Sequence, residues 1–317
     1  MHLVTYQHEG QARTGVLLGE SVVDLNRAYR AALRHLDTAS ELAVADLRLP
    51  IDMVSLLAGG EDSLKAAGRA VAFAQEHRLE TGDTMLAAQG ILYAIDHVTL
   101  LAPVLRPGKI VCLGFNYRDH AAESALAVPE YPVLFHKVSG SLVGQGQPIV
   151  IPRLSDKIDY EGELAVIIGK RGKDITENNA LSFVAGYAAA NDVSARDLQF
   201  RTSQWTSGKI LDTFAPLGPA LVTRDEVPDP NKLRIKTMVN GEVMQDASTA
   251  DMIFHVPFLI SYISQITTLE PGDVILTGTP SGVGQSRDPQ VFLQAGDCVS
   301  IEIERLGVLS NPLVAEG

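Results

Sequence analysis

Little in this chain points to a specialised scaffold. Its 317 residues include two cysteines and one tryptophan, and aromatic side chains make up 6%. Cys112 and Cys298 stand far apart in strand-like apolar runs, too few for a disulfide framework or a cysteine-based zinc site, and are expected as reduced core thiols. No apolar run is long enough to span a bilayer. The opening MHLVTYQHEGQ has neither the basic and apolar regions of a secretory signal nor the Arg-rich character of a transit peptide, so a cytoplasmic address is expected. Basic runs are also missing. With 26 Lys and Arg against 38 Asp and Glu the net charge is −12, which argues against nucleic acid or an anionic membrane as a partner. What remains is ordinary globular material, 46% hydrophobic and 20% charged with 27 glycines, able to bury a large core and expected to act on a small molecule.

The pattern divides near residue 100. Residues 1–100 open with short strands (HLVTYQ, ARTGVLLG, SVVDLN) that turn at EG and GE pairs, as hairpins do. They continue into NRAYRAALRHL and SLKAAGRAVAFAQEHR, whose apolar residues recur three and four apart, as in surface helices. A small N-terminal α+β domain is expected there. The proline-bounded LLAPVLRP marks a crossing. Beyond it, residues 101–317 are dominated by strand signals: KIVCLG, PVLFHKV, PIVIP, ELAVIIG, LRIKTMVNG, DVILTG and CVSIEIERLG. Turn residues separate them, and fewer helices are expected, around 119–126, 177–181, 195–200 and 254–265. The fold class read from this pattern is mixed α/β and β-rich, not a doubly wound sheet.

Five stretches could carry chemistry. In DYEGELAVIIG, Asp159, Glu161 and Glu163 alternate and would share one face of a strand. The apolar run Leu164 to Ile168 reads as buried on both faces, so the last glutamate reaches the interior, where a carboxylate must be protonated, paired or bound to a metal. Two glutamates and one more oxygen donor would suit a hard divalent ion. Asp192, at a strand-to-helix corner in AANDVSARDLQ, is the candidate donor, against the alternative of a helix cap. Asp197 is read as a structural partner of Arg196 or Arg201. In GFNYRDHAAES, His120 and Glu123 are three apart, on one helical face, and could form a general-base dyad on a lid. In QWTSGKILDTFAPLGP, Lys209 beside Trp205 could hold an anionic substrate oxygen. LTGTPSGVG offers backbone and the Thr279 hydroxyl to a ligand carboxylate. It is neither a phosphate loop nor a nucleophile elbow.

Taken in order, GFNYRDHAAE, DYEGELAVIIGK, NDVSARDLQ, QWTSGK, DTFAPLGP and LTGTPSGVG resemble the fumarylacetoacetate hydrolase family, in particular its bacterial acylpyruvate hydrolase-like branch, over residues 103 to 305. The resemblance implies a β-sandwich roll for the catalytic domain, usually dimeric. It implies Glu161, Glu163 and Asp192 as ligands of Mg²⁺ or Mn²⁺, with Asp159 outside the ligand set. It further implies His120 and Glu123 as the lid dyad, Lys209 as the active-site lysine, and Gln199 and Thr279 as substrate contacts. Two departures stand out. Ile210 follows the lysine where many members have a small residue, and LGFNY lacks the aspartate of the founding enzyme, leaving three protein ligands.

The activity implied first is hydrolysis of a carbon–carbon bond in an acylpyruvate or other 2,4-diketo acid, with His120 and Glu123 activating water and an enolate leaving. The same parts support decarboxylation or keto–enol tautomerisation of oxaloacetate or isomerisation of a 2-oxo acid, ranked second. A non-catalytic metabolite-binding module comes third.

Overall fold

The strand Gly162–Ile168 is buried at every position, and its neighbours explain why. The computed structural model describes residues 1–35, 44–123 and 128–317, with the Ala121 and Ala122 side chains set aside. Leu164, Val166 and Ile168 enter one core, which they share with Ile235, Val299 and Ile301. Ala165 and Ile167 enter another, which they share with Leu25, Leu56, Ala70 and Val104. A strand covered on both faces has no use for a polar alternate residue, so the run of hydrophobes follows from its place in the middle layer.

That strand lies inside a large mixed sheet. It pairs antiparallel with Val184–Asn191, which pairs antiparallel with Ala215–Thr223. On its other side comes Val274–Leu276, then Ile110–Gly114 in parallel, then Val133–Lys137. A second sheet runs in the order Glu242–Ser248, Arg234–Val239, Cys298–Ile303, Gly307–Ala315 and Ile149–Ile151. The two enclose the first core, giving the β-rich sandwich that the resemblance implies.

Hydrogen bonding crosses the expected boundary near residue 100. His2–His8, Gln11–Leu18, Ser21–Asp24 and Leu92–Ala94 extend the large sheet, with Leu3 opposite Leu221. The first hairpin turns through Glu9 and Gly10, both at positive φ, as a two-residue loop between right-twisted strands requires. Leu25–His35 and Gly60–Thr81 are the two amphipathic helices read from the sequence. The longer one buries Ala66, Ala67, Ala70 and Ala74, whose small side chains let the helices pack closely. Cys112 is buried and Cys298 half-buried, and both are free thiols. Among the described residues, no helix is long and apolar enough to cross a membrane.

Candidate metal centre and lid dyad

The expected single strand from Asp159 to Ile168 is broken. Ile158–Asp159 pairs with Ser194–Ala195, Tyr160 and Glu161 are not in a strand, and regular pairing resumes at Gly162. The break separates the three carboxylates. Asp159 accepts from Arg196 Nε at 2.8 Å and from the backbone N–H groups of Tyr160, Gly284 and Gln285 at 2.8–3.0 Å. It is a structural anchor, spent on its neighbours.

Glu161, Glu163 and Asp192 converge instead: one carboxylate oxygen from each lies within 4.8 Å of the others, and all three residues are buried. Two strand ends bring them together. The Asp192 N–H donates to the Glu161 carbonyl and the Glu161 N–H to the Asn191 side chain, each at 2.9 Å. Asp192 is not a helix cap, since the helix Arg196–Gln199 starts from Ala195 and has no side-chain cap. Glu163 receives the Gly278 N–H at 2.8 Å. Gly278 has φ +92, and a Cβ there would meet the Cβ of Asn116 at 2.8 Å, so the TGT turn needs glycine at this point.

Cations surround the triad. Lys209 Nζ donates to Glu161 Oε2 at 2.8 Å and to Asp192 Oδ2 at 2.7 Å. Arg196 Nη1 donates to Glu161 Oε1 at 2.6 Å, and Lys137 Nζ to Asp192 Oδ1 at 2.6 Å and the Val193 carbonyl at 3.1 Å. Burial alone would raise the Glu161 carboxyl, but Lys209 and Arg196 outweigh it and hold it well below the usual range. Glu163 accepts no hydrogen bond from a cation among the described residues and goes the other way: burial, then Asp192, then Glu161 push it well above the usual carboxylate range, against Lys209. Burial would lower Lys209, yet Asp192 and Glu161 keep it raised.

Two adjustments to the sequence reading follow. Lys209 is held by carboxylates rather than free in the cavity. The local charge is also larger than three carboxylates and one lysine, because Asp159, Arg196 and Lys137 belong to the same buried cluster. From sequence, Lys137 is only part of the strand PVLFHKV, and Arg196 is a candidate partner of Asp197, whereas it bonds Asp159 and Glu161. Strand alternation was the available signal for Lys137, since it places the lysine on the same face as Phe135. Asp197 is structural as expected, bonded by Ser155 at 2.5 Å and 3.7 Å from Arg201.

The residues present fit a hard divalent cation. The donor set is all carboxylate oxygen, and Glu163 Oε1 is fully buried with no hydrogen-bond partner among the described residues. A buried acceptor left this way is costly unless something positive meets it.

Glu161 opens the cluster onto a cavity of about 460 Å³ lined also by His120, Glu123, Gln199, Lys209 and Thr279, among others. The expected residues outside this lining are Glu163 and Asp192, deeper in the cluster. His120 lies on the helix Arg118–Glu123 and is 7% exposed, with Nδ1 2.7 Å from Glu123 Oε1. Glu123 Oε2 accepts the Gly282 N–H at 3.0 Å, tying the lid helix to the TGTPSG loop. The rest of the helix read as 119–126 lies outside the described residues. Asn116 roots the lid, donating to the Thr277 and Phe254 carbonyls at 2.7 and 3.0 Å. Trp205 packs edge-on against Phe115 and Phe135, each at 5.4 Å. Gly208 lets the helix Thr206–Lys209 press against its neighbour, since a Cβ there would meet the Gln199 backbone at 2.5 Å. The Thr279 hydroxyl is largely committed: it donates to the Gly162 carbonyl at 3.0 Å and accepts from Gln245 at 2.8 Å. The Gln199 side chain accepts from Arg196 at 3.1 Å.

The family model described as fumarylacetoacetate (FAA) hydrolase C-terminal matches residues 109–314. The chain belongs to the fumarylacetoacetate hydrolase family. Among its family relatives, "Oxaloacetate tautomerase Fahd2a, mitochondrial" from Rattus norvegicus is 44% identical over 319 aligned positions, covering 99% of this chain and 92% of the relative. Two family structures are also similar. A 2-hydroxyhepta-2,4-diene-1,7-dioate isomerase from Mycobacterium marinum is 43% identical with a TM-score of 0.64, covering 72% of this chain and 82% of its own. A maleylpyruvate hydrolase from Sphingobium sp. SYK-6, in complex with manganese(II) and pyruvate, is 29% identical with a TM-score of 0.73, each chain covered fully. Within this family the chain's own nearest reading is an enzyme with a divalent-metal site. The compartment named for the rat relative is the mitochondrion, whereas the sequence reading expected the cytoplasm.

Proposed function

We propose that this chain catalyses keto–enol tautomerisation of oxaloacetate or a closely related 2-oxo dicarboxylate, with Mg²⁺ or Mn²⁺ held by Glu161, Glu163 and Asp192. The observation that carries the choice of reaction is the 44% identity to an oxaloacetate tautomerase across 99% of the chain. It moves the reading ranked second from the sequence ahead of carbon–carbon hydrolysis.

The geometry supports the chemistry. The ion, when bound, supplies Lewis-acid polarisation of the 2-oxo group. With the four buried carboxylates Asp159, Glu161, Glu163 and Asp192 all ionised against the three cations Lys137, Arg196 and Lys209, a divalent charge brings the cluster to net +1, which attracts an anionic substrate. Glu123 accepts from His120 Nδ1, which leaves Nε2 as the basic nitrogen. His120 takes a proton from C3 of the keto form as C2=C3 forms and delivers that proton to the 2-oxygen, giving the neutral enol and the free imidazole, and the reverse transfer regenerates the ketone. No water is consumed. Glu123 stabilises the imidazolium while it lasts, and its bond to the Gly282 N–H holds the dyad over the cavity. Gln199 and Lys209 line the same space and are the proposed contacts for substrate oxygens.

Hydrolysis of an acylpyruvate is the second reading. Its support is the likeness to the maleylpyruvate hydrolase and an apolar cavity wall of Leu113, Phe115, Phe135 and Trp205, which has room for a longer acyl group.

The test is enol decay of oxaloacetate, followed by ultraviolet absorbance with Mg²⁺ or Mn²⁺, beside acylpyruvate hydrolysis under the same conditions. EDTA should abolish catalysis and the metal restore it. His120→Ala should slow it about 10²–10⁴-fold. Hydrolysis without tautomerisation would replace the first reading with the second.

A further inference from the structure

Each carboxylate of the triad has one oxygen held by a donor other than Lys209. Asp192 Oδ1 accepts from Lys137 at 2.6 Å, Glu161 Oε1 from Arg196 at 2.6 Å and Glu163 Oε2 from the Gly278 N–H at 2.8 Å. The second oxygens differ. Lys209 bridges Asp192 Oδ2 and Glu161 Oε2, and Glu163 Oε1 has no partner among the described residues. The three locking donors are hard to displace. The Lys137 and Asp192 side chains are 0% exposed, and the Lys137 ammonium is pinned from a second direction by the Val193 carbonyl at 3.1 Å. Arg196 is fixed equally firmly by Asp159, and Gly278 N is backbone.

We propose that Lys137, with Arg196 and the Gly278 amide, confines all three carboxylates to one-oxygen ligation and so makes the centre select Mg²⁺ or Mn²⁺ over Ca²⁺. Calcium takes six to eight oxygens and commonly recruits a carboxylate through both of its oxygens, whereas Mg²⁺ needs six in near-octahedral order. Three single oxygens meet half the need of a six-coordinate ion and leave three positions for solvent and substrate. They supply too few for calcium, and no carboxylate can open to add a second. Lys137 is thus a positioning residue acting through Asp192. The inference rests on the ligand assignment in the proposed function and is independent of which reaction follows.

The experiment is calorimetric titration of the EDTA-stripped full chain with Mg²⁺, Mn²⁺ and Ca²⁺, without substrate. The unmodified chain should bind Mg²⁺ and Mn²⁺ at least about tenfold more tightly than Ca²⁺. Lys137→Met frees Asp192 Oδ1. Removing its charge should tighten every ion, and the freed oxygen should tighten Ca²⁺ further, narrowing the Ca²⁺-to-Mg²⁺ gap by about tenfold. Lys137→Arg keeps a donor and a charge and should preserve the gap. An unchanged ratio in Lys137→Met would overturn the proposal. So would Ca²⁺ binding as tightly as Mg²⁺ in the unmodified chain, a result that stands even if the variant fails to fold. Failure to bind any of the three ions would overturn the ligand assignment as well, whereas selective binding without oxaloacetate turnover would leave the proposal intact and discard only the reaction.

Discussion

Two buried carboxylate centres in this molecule behave in opposite ways. In the N-terminal region Asp24 is 0% exposed and every demand on it is met: Tyr6 donates at 2.5 Å, Arg13 at 2.5 and 3.1 Å, and the Arg27 N–H at 2.8 Å. In the metal centre Glu163 is equally buried, yet one of its oxygens has no partner among the described residues and two other carboxylates crowd it. Burial is common to both, so burial does not mark a site. Unmet demand does, together with like charges brought close by strands that could have kept them apart. Asp24 ties a hairpin to a helix; Glu163 has an oxygen suited to a cation.

The largest expected effect comes from making the second centre resemble the first. Glu163→Gln removes a ligand charge, keeps the shape and gives Oε1's position a neutral amide. Metal affinity should collapse, and turnover of oxaloacetate enol should fall at least about a thousandfold, since the Lewis acid is lost. Stability without metal should hold or rise, because the variant no longer buries a carboxyl that resists ionisation. Calorimetric titration and denaturant melts of the stripped protein check both halves. A clear loss of metal-free stability would show that Glu163 is structural and would erase the contrast.

The converse change is Asp24→Asn, which should cost stability and spare the chemistry. Removing one partner of a buried, hydrogen-bonded pair typically costs about 3–5 kcal/mol, and Arg13 would be left facing Tyr6 and an uncharged amide. Denaturant unfolding should report that loss, while kcat per folded molecule and metal affinity stay near those of the unmodified chain. Because Leu3, Leu25, Ala165 and Leu276 share one hydrophobic core, the whole chain should unfold in one step. A separate early transition would mean that residues 1–100 melt alone.

Sequence reading reached the two regions unequally. Periodicity located the hairpin strands, both amphipathic helices and the all-buried strand Gly162–Ile168, since those patterns are set by which faces meet a core. The ordered motifs single out Glu161, Glu163 and Asp192, which converge, and His120 and Glu123, which pair. What stayed hidden depended on contacts distant in sequence. The resemblance puts Asp159 outside the ligand set, but its bond to Arg196 beyond the break at Tyr160 and Glu161 has no local signal, and Lys137 reads only as the end of a strand although Asp192 meets it across 55 positions. Ala215–Thr223 was read as a motif rather than a strand because two prolines and a glycine interrupt it. The continuity of the large sheet from His2 to Lys137 could not be read from local pattern, because pairing order leaves no trace in alternation.

The smallest expected effect sets the scale for the others. Glu61 and Lys65 pair at 3.2 Å on the helix Gly60–Thr81, but their side chains are 86% and 71% exposed. Their order, with the glutamate four residues ahead, is the favourable one and is worth only about 0.3–0.5 kcal/mol in water. Lys65→Ala loses that pair and gains helix propensity, so the two changes nearly cancel. Denaturant melts should place the variant within about 0.5 kcal/mol of the unmodified chain, and its small salt dependence should shrink further. A loss several times larger would mean that Lys65, which borders a groove with Lys170 and Arg224, is held by more than Glu61. An ion pair in water would then rival the buried Asp24 centre, and solvent exposure would no longer separate the charges that hold this fold from those that merely cover it.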